Sequence, residues 1–144
     1  MTRAAVLWTL LCLFALRVTG QLLVVLGIAP WLPPMDEWQS GLLPYPLLLF
    51  TQVIIIVVFG TVSAQFSRRN GYFVRPNLRL GSAVWVAGWI YACSMVVRYV
   101  VTMSVRPEKR WTGDLIPMVF HVVLASFLLT FAGHHRESEL HDRP

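Results

Sequence analysis

Five polar side chains interrupt the long apolar stretches of this chain, and their types could do chemistry there. They are Arg17, Gln21, Gln52, Arg98 and His121. Arginine and glutamine can donate hydrogen bonds to an anion or a carbonyl group, and histidine can donate or accept one. The set predicts one of two roles. It either binds a lipid headgroup, a quinone or a small anion, or it forms a hydrogen-bonded network that only holds helices together.

The composition indicates that lipid surrounds these stretches. Of the 144 residues, 56% are hydrophobic and only 13% are charged, whereas a soluble domain carries about 25% charged residues. The mean hydropathy is +0.62. A chain this short could hide little of that apolar surface in a water-soluble core. We therefore expect an all-α, polytopic membrane protein.

Four stretches are long enough to cross a hydrocarbon core, which needs about 20 apolar residues in a helix. They cover residues 4–29, 43–66, 81–103 and 114–132. Short segments rich in turn residues separate them, which predicts an antiparallel bundle of four transmembrane helices in a single membrane domain. Asp114 is expected to cap the fourth helix and Gly133 to end it, which leaves residues 133–144 as a cytoplasmic tail.

The basic residues predict the orientation. The N-terminus, the segment between the second and third spans, and the C-terminal tail carry Arg3, Arg68, Arg69, Arg75, Arg79, Arg136 and Arg143. The other two loops carry only Arg106, Lys109 and Arg110. Since short cytoplasmic loops are enriched in basic residues, both termini are expected in the cytoplasm, with Trp31, Trp38 and Trp111 at the outer interface. The preference for arginine over lysine indicates a GC-rich bacterial genome, hence a bacterial plasma membrane.

The segment ALRVTGQL, residues 15–22, allows a second interpretation of the N-terminus. A basic start, an apolar run and small residues before Gln21 are typical of a signal peptide cleaved after Gly20. Cleavage would leave three spans and an apolar stub, residues 22–29, that is too short to cross the membrane. The uncleaved helix is favoured and carries Arg17 near its middle. An arginine there costs about 2.5–3.5 kcal/mol, so it should face other helices or water.

The five polar side chains are expected in the same, outer half of the membrane. At 1.5 Å per residue, Gln21 and Gln52 lie about 12–14 Å below the outer helix ends, His121 about 10 Å and Arg98 about 8 Å, with Arg17 deeper. The nearest counter-ions are the outer residues Asp36, Glu37, Glu108 and Asp114. Arg98 can extend towards them, but Arg17 needs glutamine or backbone carbonyls, water or a ligand.

Cofactors, metal sites and catalysis are not expected. His121 and His135 are spaced as in a two-haem helix, but no other span supplies partner histidines. His134, His135 and His141 are expected in a solvated tail. Cys12 and Cys93 form no CxxC motif and are expected to be small buried hydrophobes. No Ser/His/acid set or phosphate-binding glycine loop is present in the sequence, so the protein is expected not to be an enzyme.

Two further surfaces carry expectations. Juxtamembrane arginines attract anionic lipid with about 1 kcal/mol each, which makes the basic segment a candidate lipid contact, unless it serves only to fix the topology. Its residues are Arg68, Arg69, Arg75 and Arg79. On the third helix, the pairs Ala83/Ala87 and Gly88/Ala92 permit close helix approach. The bulky residues Trp85, Trp89 and Tyr91 are expected to face lipid or an interface.

The segments GYFVRPNLRLG and GDLIPMVFHVVLASFLLTFAGHH resemble small bacterial four-helix integral membrane proteins of unassigned activity. The resemblance implies a bacterial plasma-membrane location. The leading expectation is a non-enzymatic accessory or structural subunit. Its partners would be the lipid bilayer and either other membrane subunits or a second copy, with no nucleic acid. The alternative is a small ligand-binding or transport protein that uses the outer polar residues.

The charge distribution predicts the location of the C-terminus. We expect a C-terminal green fluorescent protein fusion to fluoresce and a C-terminal alkaline phosphatase fusion to stay inactive, because both termini are cytoplasmic. An active phosphatase fusion would contradict this topology. An intact mass of 16.4 kDa for the purified chain would show that residues 1–20 are retained.

Overall fold

The structure, a computed structural model, describes residues 2–38, 43–105 and 115–141, and this part of the chain is all-helical. The helices are α1 (Arg3–Val25), α2 (Tyr45–Arg68), α3 (Leu78–Val105) and α4 (Leu115–His141), with a short 3₁₀ turn at Met35–Glu37. Each of the four long helices is long and apolar enough to cross a membrane. The predicted all-α fold with four candidate spans is confirmed to that extent.

The first helix is shorter than predicted, because a glycine stops it. α1 ends at Val25, and Gly27 follows with a φ of +69°. The N–H of Gly27 donates to the carbonyl of Val24, and the N–H of Ile28 donates to that of Leu23. This pair of bonds is a Schellman motif, in which a left-handed glycine closes a helix. The predicted extension to residue 29 is therefore wrong.

The fourth helix is longer than predicted, because residues beyond Gly133 contact the rest of the protein. α4 runs through Gly133 to His141. Glu137 pairs with Arg3, and the guanidinium of Arg136 lies 4.6 Å from the ring centroid of Trp85 on α3. The prediction that Gly133 ends the helix is wrong, and residues 133–141 are not a separate tail. The predicted cap, Asp114, lies outside the described residues.

The basic segment between α2 and α3 is fixed to α4 by two histidines. His134 Nε2 lies 2.8 Å from the carbonyl oxygen of Val74, and the N–H of Asn77 donates to His135 Nδ1 at 3.2 Å. His135 is fully buried. The prediction of solvated histidines is therefore wrong for both residues, while the side chain of His141 lies outside the described part.

The helices pack in the series α2–α1–α4–α3. α1 contacts both α2 and α4, and α3 contacts α4. The main core lies between α1, α2 and α4; it is formed by Leu7, Leu11, Val62, Phe66, Phe127 and Phe131. A second cluster, further along α1, contains Phe14, Val18 and Val123. Cys12 and Cys93 are exposed on the outside of the helices, contrary to expectation.

Two glycines of α3 lie in its contact with α4. Gly81 and Gly88 are buried, and a Cβ at Gly81 would lie 2.6 Å from that of His135. Ala83 and Ala87, in contrast, are exposed. The small-residue contact expected on α3 therefore includes Gly88 but is centred on another face of the helix. Gly81 lies about two helical turns before Gly88, and it was not recognised because it stands at the predicted helix start.

This contact predicts the effect of adding one methyl group. We expect Gly81→Ala to destabilise the protein by about 1–3 kcal/mol, because the Cβ of His135 is close to the backbone and cannot move aside easily. The matched control is Gly60→Ala on α2, where the nearest atom would lie 3.8 Å away. It should be neutral or stabilising by up to about 1 kcal/mol. Thermal unfolding in detergent measures both, and equal stability of the two variants would contradict this packing.

Candidate functional site

The polar residues named from the sequence lie at one end of the helices. Arg3 contacts Glu137 and Trp8 bonds to Ser67, so the start of α1 and the ends of α2 and α4 meet. We call the end where these three helix ends meet the basic end, and the polar residues lie towards the other end. Arg17 lies about 12 Å from the opposite end of α1, whereas Gln21 lies only about 6 Å from it, because α1 stops early. By the same measure, Gln52, Arg98 and His121 lie about 9–11 Å from the corresponding ends of their own helices.

A cavity of about 290 Å³ opens between the four helices in this region. Its polar walls are formed by Arg17, Thr51, Gln52, Tyr91, Arg98 and His121, and apolar side chains complete the lining. Four of the five predicted binding residues therefore line one cavity. The fifth, Gln21, stands behind the wall, where Gln52 Nε2 donates to its Oε1 at 3.0 Å.

Arg17 is the most deeply placed charge of the cavity. Its side chain is 9% exposed, its Nη2 donates to the carbonyl oxygen of Trp38 at 2.7 Å, and its guanidinium lies 5.5 Å from the ring centroid of Phe120. Its Nε has no hydrogen-bond partner. Among the described side chains, no carboxylate pairs with it. A carbonyl dipole and an aromatic face therefore stabilise this cation where a counter-ion would normally do so.

Trp38 brings that carbonyl to Arg17 and was missed by the sequence analysis. Its side chain is 7% exposed and its Nε1 donates to the carbonyl oxygen of Pro33 at 2.9 Å. The ring covers Gly20, where a Cβ would lie 2.8 Å from it. Trp38 is buried, because the missing side chain at Gly20 lets the indole ring pack against α1, and its position at the outer interface stays a prediction. The signal was present in the sequence, since Arg17 and Gly20 are one helical turn apart.

Tyr91 also belongs to the cavity. Its hydroxyl is hydrogen-bonded to Nδ1 of His121, which joins α3 to α4. Tyr91 was expected to face lipid or an interface, but it lies in the wall of the cavity. Its spacing of two turns from Arg98 puts both on one face of α3, which the sequence could have shown.

Several polar atoms of the cavity region are buried without a partner. Besides Nε of Arg17, these include Nε2 of Gln21 and Oε1 of Gln52. Buried polar groups normally find a partner in protein, water or a ligand. The arrangement can therefore accept hydrogen bonds at an amide oxygen and donate several at a cation.

The four arginines proposed to contact anionic lipid do not approach this cavity. Arg68, Arg69, Arg75 and Arg79 are all exposed at or near the basic end. Of the acidic residues expected as counter-ions, Glu108, Asp114 and the side chain of Asp36 lie outside the described residues. Within the described part, no group of three or more His, Cys, Asp or Glu side chains could hold a metal ion.

Fold and cavity together define a class: a helical protein with four candidate membrane spans and a polar cavity near one end. Comparison with family models, curated proteins and solved structures gives no match. What the protein does must therefore be inferred from the cavity itself.

The cavity predicts local water access within an apolar helix. In a background with Cys12→Ala and Cys93→Ala, we expect Thr51→Cys to react with a water-soluble methanethiosulfonate reagent, because thiolate formation needs a hydrated site. Val53→Cys is the matched control, since Val53 is exposed on the outside of α2. It should stay unlabelled in a bilayer. Labelling of both cysteines, or of Val53→Cys alone, would contradict a hydrated cavity.

Proposed function

We propose that this chain is an integral membrane protein whose outer-half cavity binds a carboxylate- or phosphate-bearing group, on a lipid headgroup or a small molecule. Arg17 carries the proposal. It is buried, lines the cavity and has an unpartnered Nε. Guanidinium groups suit carboxylate and phosphate oxygens because their N–H donors form a planar fork.

The balance of charges in the cavity supports an anionic ligand. Arg17 and Arg98 both line it, and no described carboxylate contacts either one. Removing an arginine from water is costly unless hydrogen bonds and an opposite charge compensate. The carbonyl of Trp38 compensates only part of this cost, because it satisfies one of the five donors of the guanidinium. An anion between the two arginines would supply the remainder.

The depth of the cavity supports access from the membrane surface. The 28 residues of α3 extend over about 42 Å, whereas the hydrocarbon core is about 30 Å thick. With equal overhang, each end of α3 projects about 6 Å beyond the core. Arg98 then lies about 4–5 Å below the hydrocarbon boundary, a depth that arginine side chains and headgroups can bridge.

The proposed topology is an antiparallel four-span bundle with both termini in the cytoplasm, in the plasma membrane of a bacterium. The clustering of Arg3, Arg68, Arg75 and Arg136 towards the basic end supports this orientation. The cavity then opens in the outer leaflet. The exposed arginines of the basic end serve as contacts for anionic lipid on the cytoplasmic side.

The cavity is also the reason to prefer binding over the role of a purely accessory subunit. The exposed apolar faces of α2 and α3 suit lipid as well as a partner protein, so they favour neither role. A cavity lined by the buried Arg17 and the partly buried Arg98, in contrast, offers space for water or a ligand. No catalytic step is part of this proposal.

The proposed function predicts a charge-selective stabilisation. At saturating concentration, dihexanoyl phosphatidylglycerol should raise the melting temperature of the protein in detergent by about 2–8 °C, because ligands stabilise the folded state they bind. Dihexanoyl phosphatidylcholine, with no net charge, should have a much smaller effect. Arg17→Gln should remove most of the difference. A smaller part that remains in Arg17→Gln and is lost on Arg79→Gln would belong to the exposed lipid contact at the basic end.

Three outcomes would contradict anion binding. They are equal shifts with both lipids, an unchanged difference in Arg17→Gln, and a shift given only by a short-chain ubiquinone, which would favour a quinone site. If Arg17→Gln does not fold, Arg98→Gln tests anion binding in the same cavity, because Arg98 lines it from α3.

A further inference from the structure

The polar cavity adjoins an apolar groove between α3 and α4, and His121 lines both. A small opening of about 20 Å³ shares Arg98, Pro117 and His121 with the cavity. It also shares Met95, Met118 and His121 with a groove of about 200 Å³ between α3 and α4. The three spaces therefore meet at His121, with the small opening between the other two.

The groove differs from the cavity in its chemistry. Apart from His121 and Ser126, its walls are apolar and small or flexible, among them Ala92, Met95, Ala125 and Leu129. None of its lining residues is charged, whereas the cavity holds two arginines. The adjoining spaces thus present one polar, cationic part and one apolar part.

The groove also has a direction. From His121 to Leu129 it follows α4 for about 12 Å, away from the cavity and towards the basic end. In the proposed topology this direction leads from the outer surface to the middle of the bilayer. A hydrocarbon chain attached to a headgroup in the outer leaflet has the same direction.

We propose that the ligand is a single-phosphate anionic lipid of the outer leaflet. Its phosphate lies between Arg17 and Arg98, and one acyl chain passes between α3 and α4 into the groove. This inference rests on the proposed function and adds the ligand class. It also assigns Met95 and Met118 to the passage, a role that suits methionine because its unbranched side chain adapts to different shapes.

Charge complementarity favours this occupant over two others. A soluble anion would fill the cavity and leave the apolar groove unused. A helix from a second copy of the chain could cover the groove, but it would leave the two arginines without a counter-ion. An anionic lipid matches both parts in one molecule.

The test compares headgroup and chain separately on the full-length protein in detergent. The probes are 1-oleoyl lysophosphatidic acid, glycerol 3-phosphate and 1-oleoyl lysophosphatidylcholine, with dissociation constants measured by native mass spectrometry. We expect the lysophosphatidic acid to bind at least about tenfold more tightly than either other probe. Val122→Trp should remove most of that advantage, because Val122 lines the groove and is 56% exposed, so a larger side chain there can cover it.

The matched control is Val119→Trp, a similarly exposed valine on α4 that should keep wild-type binding. Ala92→Phe, on the opposite wall of the groove, should act like Val122→Trp. The lipid inference is wrong, while anion binding stands, if glycerol 3-phosphate binds as tightly as the lysophosphatidic acid. It is also wrong if both groove variants keep the preference for the probe with the acyl chain. If neither phosphate binds better than the choline lipid, the proposed function itself fails. Dimerisation that is lost in Val122→Trp, without any chain preference, would assign the groove to a second copy.

Discussion

The guanidinium of Arg17 needs hydrogen-bond acceptors inside an apolar helix bundle, and the structure at this end of the protein follows from that need. The carbonyl of Trp38 reaches it because the chain turns back after α1 and the indole ring packs over Gly20. Gly27 ends the helix early enough for this return. The segment ALRVTGQL thus holds a buried cation together with the small residue that makes room for its partner.

The packing series α2–α1–α4–α3 explains why a cavity exists beside this cation. The main apolar core joins α1, α2 and α4 near the basic end. Gly81 and Gly88 let α3 pack closely against α4. Further along, the apolar cluster is smaller, with Phe14, Val18 and Val123, and polar side chains also join the helices: Gln52 to Gln21, and Tyr91 to His121. Polar pairs of this kind span wider gaps than glycine contacts, so space remains between the four helices where the arginines lie.

Much of the fold was predictable because hydrophobic length dictates a membrane helix, and the polar cluster was predictable because charges are rare in such helices. The helix ends were not. Gly27 and Gly133 each follow a long apolar stretch, so both look like helix ends in the sequence. The helix continues past Gly133 because Arg136 and Glu137, which follow it, contact α3 and α1. Trp38 was assigned to the outer interface, and Tyr91 to lipid or an interface. Only tertiary contacts show that Trp38 packs over Gly20 and that Tyr91 lines the cavity.

The central claim is that the two arginines of the cavity hold an anion in the membrane. The most direct measurement is extraction of the protein with its surrounding lipid into polymer-bounded nanodiscs, followed by quantification of the molecules that co-purify with wild type and with Arg17→Gln. An anionic molecule present at about one per wild-type chain and depleted in Arg17→Gln at equal total lipid is the predicted result. The same molecules in the same amounts in both preparations would contradict the claim.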